Sequence, residues 1–153
     1  MSALTEYADL LRQNIGRCGK PLTTEVDKSA VRKFARAIGE TNPLYFDPDY
    51  AVTTRFGAII APPTFVAALM SMDLPPLPDP PVTFTVTLHT DDVMEQFAPI
   101  QVGDVITSVP KLADAFVKTG RNGEMLFTTF ANELSNSDDA LVATVAWTKV
   151  QRP

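Results

Sequence analysis

The sequence has very few of the residues on which several classes of site depend. Its 153 residues include one cysteine, Cys18, and one histidine, His89. One cysteine excludes an internal disulfide, and together the two residues fall short of a zinc site, so we expect no bound metal. No Gly-x-Ser-x-Gly motif surrounds a serine, which argues against a hydrolytic triad. The 7 glycines are dispersed along the chain, so we expect no phosphate-binding loop and no nucleotide cofactor.

Positive charge and long apolar runs are also scarce. The chain carries 13 Lys and Arg against 18 Asp and Glu, a net charge of -5, which argues against nucleic acid and anionic membranes as partners. No apolar run approaches the roughly 18 residues of a membrane span. Glu6 and Asp9 lie where a signal peptide would be cationic and then apolar. We therefore expect a cytoplasmic protein that forms one domain over residues 1–153.

Hydrophobic spacing predicts helices in the first half of the chain. Apolar residues at i, i+3, i+4 and i+7 predict an amphipathic helix over residues 3–14. Asp27 is the expected cap of a second helix, and a short helix is expected at 48–53. Residues 64–72 follow Pro62-Pro63 and are apolar on nearly every side. This pattern predicts a central helix that is buried all round.

Strand patterns dominate the second half. Gly120-Arg121-Asn122-Gly123 is a strong hairpin signal between two of the runs. One buried helix followed by long antiparallel strands predicts an α+β domain in which a curved antiparallel sheet wraps around the helix. The expected extended runs are 83–89, 93–100, 105–118, 125–134 and 141–150.

Two blocks of the sequence carry the clearest functional signal. Residues 39–65 read GETNPLYFDPDYAVTTRFGAIIAPPTF, and residues 88–104 read LHTDDVMEQFAPIQVGD, ending in Pro-x-x-x-Gly-Asp. With the later strand pairs, they resemble the MaoC-like, hotdog-fold hydratases and dehydratases of acyl thioesters. The resemblance covers most of the chain and is greatest to the N-terminal, accessory form of the family, the FAS1-like dehydratase type. It implies a hotdog fold.

The resemblance also implies how the chemistry is arranged and where this chain departs from it. Competent members carry Asp-x-Asn-Pro-x-His, whose Asp and His flank the water that is added or removed, while a backbone N–H at the start of the central helix binds the thioester oxygen. Here Asn42 is retained, but Glu40 replaces the Asp and Tyr45 the His. Pro62-Pro63 replaces the helix-opening His-Gly, and a proline has no N–H. Glu40 and Tyr45 are thus degenerate catalytic positions.

Several candidate residues also have a structural interpretation. Asn42, a substrate-binding candidate, is equally well explained as a turn or cap residue. Tyr45 is expected as a core aromatic whose hydroxyl is paired. His89 lies in the second block, where the resemblance makes it a catalytic candidate, but a hydrogen-bonded, partly exposed strand histidine is the favoured interpretation. The other substrate-binding candidates surround the start of the central helix, where they line a core or an acyl tunnel: Pro63, Thr64, Phe65 and Leu69.

Taken together, the sequence is similar to the non-catalytic subunits of (3R)-hydroxyacyl-thioester dehydratases. It predicts a subunit of an (R)-specific enoyl-thioester hydratase or 3-hydroxyacyl-thioester dehydratase acting on an acyl-CoA or acyl-carrier-protein thioester. A catalytic MaoC-type chain would complete a heterodimer or heterotetramer. The alternatives are a homodimeric hydro-lyase that uses Glu40 with Tyr45 or His89, and an acyl-chain binding module without catalysis. Candidates for docking a carrier protein are Lys28, Arg32, Lys33, Arg36 and Arg55.

Overall fold

The computed structural model describes every residue of the chain, from Met1 to Pro153, and has the predicted α+β architecture. None of its helices is long and apolar enough to cross a membrane. We name the 3-10 helix Pro63–Leu69 the inner helix. The elements are α1 Ala3–Arg12, β1 Leu22–Glu25, α2 Lys28–Ala37, a 3-10 helix Pro43–Tyr45, α3 Pro48–Val52, the inner helix, β2 Val86–Gln96, β3 Val105–Gly120, β4 Gly123–Ser135 and β5 Leu141–Arg152.

The five strands form one antiparallel sheet in the order β1-β3-β4-β5-β2. Pairing of Gly120 with Gly123 confirms the predicted hairpin. The two extended runs expected on either side of position 90 are instead one strand, β2, because a bulge between His89 and Asp91 absorbs the extra residue. Bulges of this kind increase strand twist, which suits the curvature of the sheet. Strand β2 has a partner on one side only, so its other edge is open.

Helix α1 covers one end of the concave face of the sheet. Its apolar stripe, predicted from spacing, is buried at Leu4, Tyr7, Ala8 and Leu11. The stripe packs on β3 and β4, where Phe130 is the largest fully buried side chain. The Tyr7 hydroxyl donates to the Pro78 carbonyl at 2.7 Å, so α1 also holds the proline-rich crossing against the sheet.

The inner helix is shorter and less covered than the sequence predicts. It is a 3-10 helix that ends at Leu69, whereas the pattern predicted a helix through residue 72. Phe65, Val66 and Leu69 face the core, but the opposite side, including Thr64 and Ala68, is exposed. The expectation of burial all round is therefore wrong for this chain, because its one sheet covers one side of the helix and no second layer covers the other.

A buried polar network explains why the inner helix stops. The amide of Ser71 donates to Asn132 Oδ1 at 3.0 Å and to Ser108 Oγ at 3.1 Å, instead of continuing a helical ladder. Ser108 Oγ also donates to Asn132 Oδ1 at 2.7 Å, and Ser71 Oγ donates to the Lys20 carbonyl. Buried polar groups that pair in this way are costly to break. The network therefore fixes the point at which the chain leaves the helix for the proline-rich crossing.

Candidate functional site

A cleft of about 290 Å³ opens at the N-terminal end of the inner helix. Three separate segments meet there: the 3-10 helix that ends at Tyr45, the loop that leads into the inner helix, and the chain that follows β2. The structure therefore brings two predicted site residues, Tyr45 and Pro63, into one concave surface. The lining residues are Tyr45, Arg55, Phe56, Ile60, Ala61, Pro63, Gln96, Phe97, Ala98 and Pro99.

A local cap positions Tyr45. Asn42 Oδ1 accepts a hydrogen bond from the Leu44 amide at 3.0 Å, and its carbonyl accepts one from the Tyr45 amide at 3.1 Å. Proline at position 43 suits the first turn of the short helix. Leu44 and Tyr45 are consequently turned into the core. Asn42 is exposed and is not among the residues that line the cleft, which matches the cap interpretation of this residue.

A short bridge between two loops positions Pro63. Ile60 pairs with Gln101, the Ala61 amide donates to the Ile100 carbonyl at 2.8 Å, and the Val102 amide donates to Ile59. The turn after this bridge is closed by Asp104, whose Oδ2 accepts from the Gln101 amide at 2.8 Å. The Pro-x-x-x-Gly-Asp ending of the second block thus holds in place the loop that carries the two prolines.

Arg55 supplies positive charge at the cleft. Its guanidinium lies 4.8 Å from the centroid of the Phe56 ring, within the range of a cation–π interaction. The Phe56 carbonyl accepts from Gln101 Nε2 at 2.9 Å, which anchors this loop to the bridge described above. Arg55 itself remains exposed at the rim.

The electrostatics of Tyr45 favour a neutral phenol. Tyr45 is 9% exposed, and its hydroxyl makes no hydrogen bond to another residue of the chain. Burial is the main cause that raises the pKa of Tyr45 above the ordinary value of 10.0, and the negative charge of nearby Glu40 raises this pKa further. The structure therefore brings Glu40 and Tyr45 close enough to interact. At neutral pH Tyr45 is a neutral hydrogen-bond donor, and it is further from acting as a base than a free tyrosine.

An alkaline titration tests this description of Tyr45. The difference in tyrosinate absorbance between the wild type and Tyr45→Phe isolates this group, and we expect its midpoint above pH 10, the ordinary phenol value. Because the folded pKa is the higher one, the phenol's contribution to stability is complete below pH 10 and is lost as pH rises through the folded pKa. Tyr45→Phe should therefore lessen the alkaline loss of stability. A midpoint below 10 would contradict the assignment.

A second, more apolar groove of about 400 Å³ runs between α2 and the inner helix. We call it the apolar groove. Phe34 of α2 meets Phe65 of the inner helix edge-to-face, with ring centroids 5.3 Å apart. Two predicted substrate-binding residues, Phe65 and Leu69, thus line this groove rather than the cleft, and Thr64 lines neither. The lining is Thr24, Glu25, Asp27, Ala30, Lys33, Phe34, Ala37, Phe65, Ala68 and Leu69.

His89 lies outside both cavities. Its ring is stacked on Trp147, with centroids 5.9 Å apart and an angle of 7° between the planes. Its Nε2 lies 3.0 Å from Asp92 Oδ2. This exposed, hydrogen-bonded environment is the one that the structural interpretation predicted. The fold does not bring His89 to Tyr45.

Sequence reasoning missed most of the residues that line the two cavities, and three of them have large side chains: Gln96, Phe97 and Phe34. Gln96 and Phe97 reach the cleft because β2 ends there, and Phe34 lines the apolar groove. A signal was present for each. Gln96 and Phe97 lie three and two residues before Pro99 in the second block, and Phe34 belongs to the apolar stripe of α2. Their roles as lining residues depend on loop positions that spacing does not provide.

Comparison with known proteins gives one family. The family model described as "FAS1-like, dehydratase domain region" matches residues 13–145. A UPF0336 protein of Thermobifida fusca is 33% identical over 138 residues, which cover 87% of this chain and 88% of that protein. A UPF0336 protein of Saccharopolyspora erythraea is 31% identical over 132 residues, covering 84% and 81%.

Solved structures share the fold. The ChsH1-ChsH2 complex from Mycobacterium tuberculosis matches with a TM-score of 0.72 at 20% identity, covering 97% of this chain and 88% of that one. The (R)-hydratase from A. caviae involved in PHA biosynthesis has a TM-score of 0.66 at 19% identity, covering 91% and 96%. The C-terminally truncated HadBC (3R)-hydroxyacyl-ACP dehydratase complex from M. tuberculosis has a TM-score of 0.66 at 20% identity, covering 87% and 96%. These likenesses confirm the predicted hotdog fold.

Proposed function

Because the chain belongs to the family of FAS1-like dehydratase domain regions, we propose that it is a non-catalytic subunit of an (R)-specific enoyl-thioester hydratase or 3-hydroxyacyl-thioester dehydratase. One observation carries the proposal. The cleft at the start of the inner helix, where we place the reaction, is lined by Tyr45 and Pro63. Neither residue supplies what hydration of an enoyl thioester requires.

The first missing group is a proton carrier. Addition of water needs a base and an acid within hydrogen-bond reach of one water, with pKa values near the working pH. The pKa of Tyr45 is raised, so at neutral pH the phenol cannot take a proton and gives one up poorly. Glu40 is a carboxylate that can act as one member of the acid–base pair, but the second member is missing. Tyr45 is better suited to donate a hydrogen bond to a bound ligand than to transfer protons.

The second missing group is the donor for the thioester oxygen. Enolate character develops on that oxygen, and a preorganised N–H commonly contributes a factor of about 10²–10³ to the rate. Pro63 opens the inner helix and has no N–H. Two independent parts of the mechanism are therefore lacking, which favours a second polypeptide as the source of catalysis.

The open edge of β2 supports the proposed partner. Leu88, Val93 and Phe97 on or beside this strand are 57%, 54% and 57% exposed. A long edge strand with apolar side chains invites pairing with another chain. Two of the structurally similar proteins, HadBC and ChsH1-ChsH2, are complexes by name. We propose that a catalytic MaoC-type hotdog chain pairs along β2 and that its Asp and His perform the reaction.

The apolar groove supports a role in binding the acyl chain. Its volume of about 400 Å³ lies in the range of small-ligand sites. Phe34, Phe65 and Leu69 provide an apolar wall, while the exposed side of the inner helix leaves the groove accessible. In the proposed complex this chain therefore contributes binding surface, and its partner contributes chemistry.

Hydration assays on the purified chain test the proposal. With a medium-chain (2E)-enoyl-CoA we expect no rate above the uncatalysed one, and no change on Glu40→Gln or Tyr45→Phe. Addition of a MaoC-type chain with an intact Asp-x-Asn-Pro-x-His motif from the same genome should produce (3R)-hydroxyacyl-CoA. Hydration by the chain alone that Glu40→Gln abolishes would instead establish a homodimeric hydro-lyase. A fatty acyl ligand bound without any MaoC-type partner would indicate an acyl-binding module.

A further inference from the structure

The outer face of α2 concentrates positive charge in a protein whose net charge is -5. It forms a groove of about 380 Å³, which we call the cationic groove, and no apolar side chain lines it. Helix α2 contains no acidic residue of its own. The lining residues are Asp27, Lys28, Ser29, Arg32, Lys33 and Arg36.

None of the four cations in this groove is neutralised within the chain. The salt bridges of the structure lie elsewhere, at Arg12–Asp9, His89–Asp92 and Lys111–Glu133. The carboxylate nearest to the groove, that of Asp27, caps α2 by accepting from the Ala30 amide at 2.9 Å.

The spacing of these positive charges destabilises α2. Lys28 and Arg32, like Arg32 and Arg36, are four residues apart, a spacing at which like charges repel. Lys28 also lies in the first helical turn, where the helix dipole disfavours a cation. An anionic partner would relieve both effects.

Two of the cations contact the segment that contributes Tyr45 to the cleft. Arg32 Nη2 donates to the Phe46 carbonyl, and the Arg36 guanidinium lies 5.9 Å from the centroid of the Phe46 ring. Phe46 directly follows Tyr45. Lys33 lines both the cationic groove and the apolar groove, so the two grooves adjoin. Negative charge bound on the outer face of α2 would therefore lie beside the entrance for an acyl chain.

We propose that the cationic groove is the docking surface for an acidic carrier protein that presents its acyl group on a phosphopantetheine arm. This inference rests on the proposed function, since it assumes that the apolar groove receives the acyl chain. The groove offers no aromatic or aliphatic side chain on which the adenine of CoA could stack. From Lys28 to Arg36 its cations instead follow the exposed helix for about 12 Å, at 1.5 Å per residue. Such a row of positive charges is complementary to the acidic surface of a protein.

Binding measurements on the full chain test the docking surface. The test variant is Lys28→Glu with Arg36→Glu, because neither side chain makes a hydrogen bond in the fold and neither lines the apolar groove. The matched control is Lys20→Glu with Arg121→Glu, which changes the net charge equally at exposed positions outside the groove. The three probes carry the same medium-chain 3-hydroxyacyl group on an acyl carrier protein, on CoA and on pantetheine.

We expect the test variant to bind the acyl carrier protein at least about tenfold more weakly, with a smaller salt dependence than the wild type. Its affinity for the CoA and pantetheine thioesters should change by less than about twofold, and the control should resemble the wild type. Three results would contradict the proposed docking surface. The test variant could lose as much affinity for the CoA thioester as for the carrier protein, the control variant could lose as much affinity as the test variant, or the test variant could lose none. Failure of the wild type to bind acyl-pantetheine would instead refute the proposed acyl site.

Discussion

Replacing Met94 with proline is expected to weaken pairing along β2 strongly while leaving the isolated chain folded. The Phe97 amide donates to the Val142 carbonyl across the β2–β5 pair at 2.9 Å. Because amides alternate in direction along an antiparallel strand, those of Val93 and Glu95 also face β5, and those of Met94 and Gln96 face the open edge. A proline at 94 therefore removes an amide that only a partner strand would use.

The expected loss of association is large. Proline removes one edge hydrogen bond and its ring obstructs those on either side, a cost of about 2–3 kcal/mol or on the order of 100-fold in affinity. Sedimentation velocity of the chain, with and without the MaoC-type partner, measures this effect. The matched control is Met94→Ala, which truncates the same side chain but keeps the amide and should weaken association no more than a few-fold. If the proline variant associates as well as the alanine variant, β2 is not the interface.

Replacing Ala68 with tryptophan is expected to close the apolar groove. Ala68 is exposed on the inner helix and lines this groove, so a large side chain can enter it without displacing the core. In the wild type each added methylene of the acyl group should strengthen binding by about 0.8 kcal/mol, or about fourfold. In the variant this dependence on chain length should vanish, and medium-chain thioesters should bind on the order of 100-fold more weakly.

A neighbouring position supplies the control for this variant. Ala67 is also exposed on the inner helix but is not among the residues that line the groove, so Ala67→Trp should keep the dependence on chain length. The free energy of unfolding should change by less than about 1 kcal/mol in both variants, since neither site is buried. Calorimetric titration with a series of acyl-pantetheines measures the dependence. If Ala68→Trp still binds longer chains more tightly, the acyl group lies elsewhere.

The candidate site was predictable where a local motif determines local structure. Asn42 and Asp47, each next to a proline, cap the short helix that ends at Tyr45 and the helix α3 that follows it. Tyr45 is buried by that geometry, as an aromatic at this position was expected to be. The state of its hydroxyl was not predictable, because it depends on Glu40, which reaches the phenol only in the folded chain.

The inner helix shows where a pattern of apolar residues fails to determine structure. Its composition predicted a helix buried on all sides, whereas Ala68 is exposed and the helix ends at Leu69. The end point depends on Ser71, whose amide bonds to Ser108 and Asn132. These partners are far away in the sequence, so no local pattern reveals that their hydrogen bonds replace those of a longer helix.

By itself, the sequence determined the α+β class, the hairpin at Gly120–Gly123, the capped helices and the absence of an N–H at Pro63. Each of these follows from residue types within a few positions of one another, or from the lack of an atom. Only the tertiary structure decided that Phe65 and Leu69 line a groove apart from the Tyr45 cleft, and that His89 stacks on Trp147 outside both. Those relations depend on contacts between distant segments, which come together only when the sheet curves and the loops close on it.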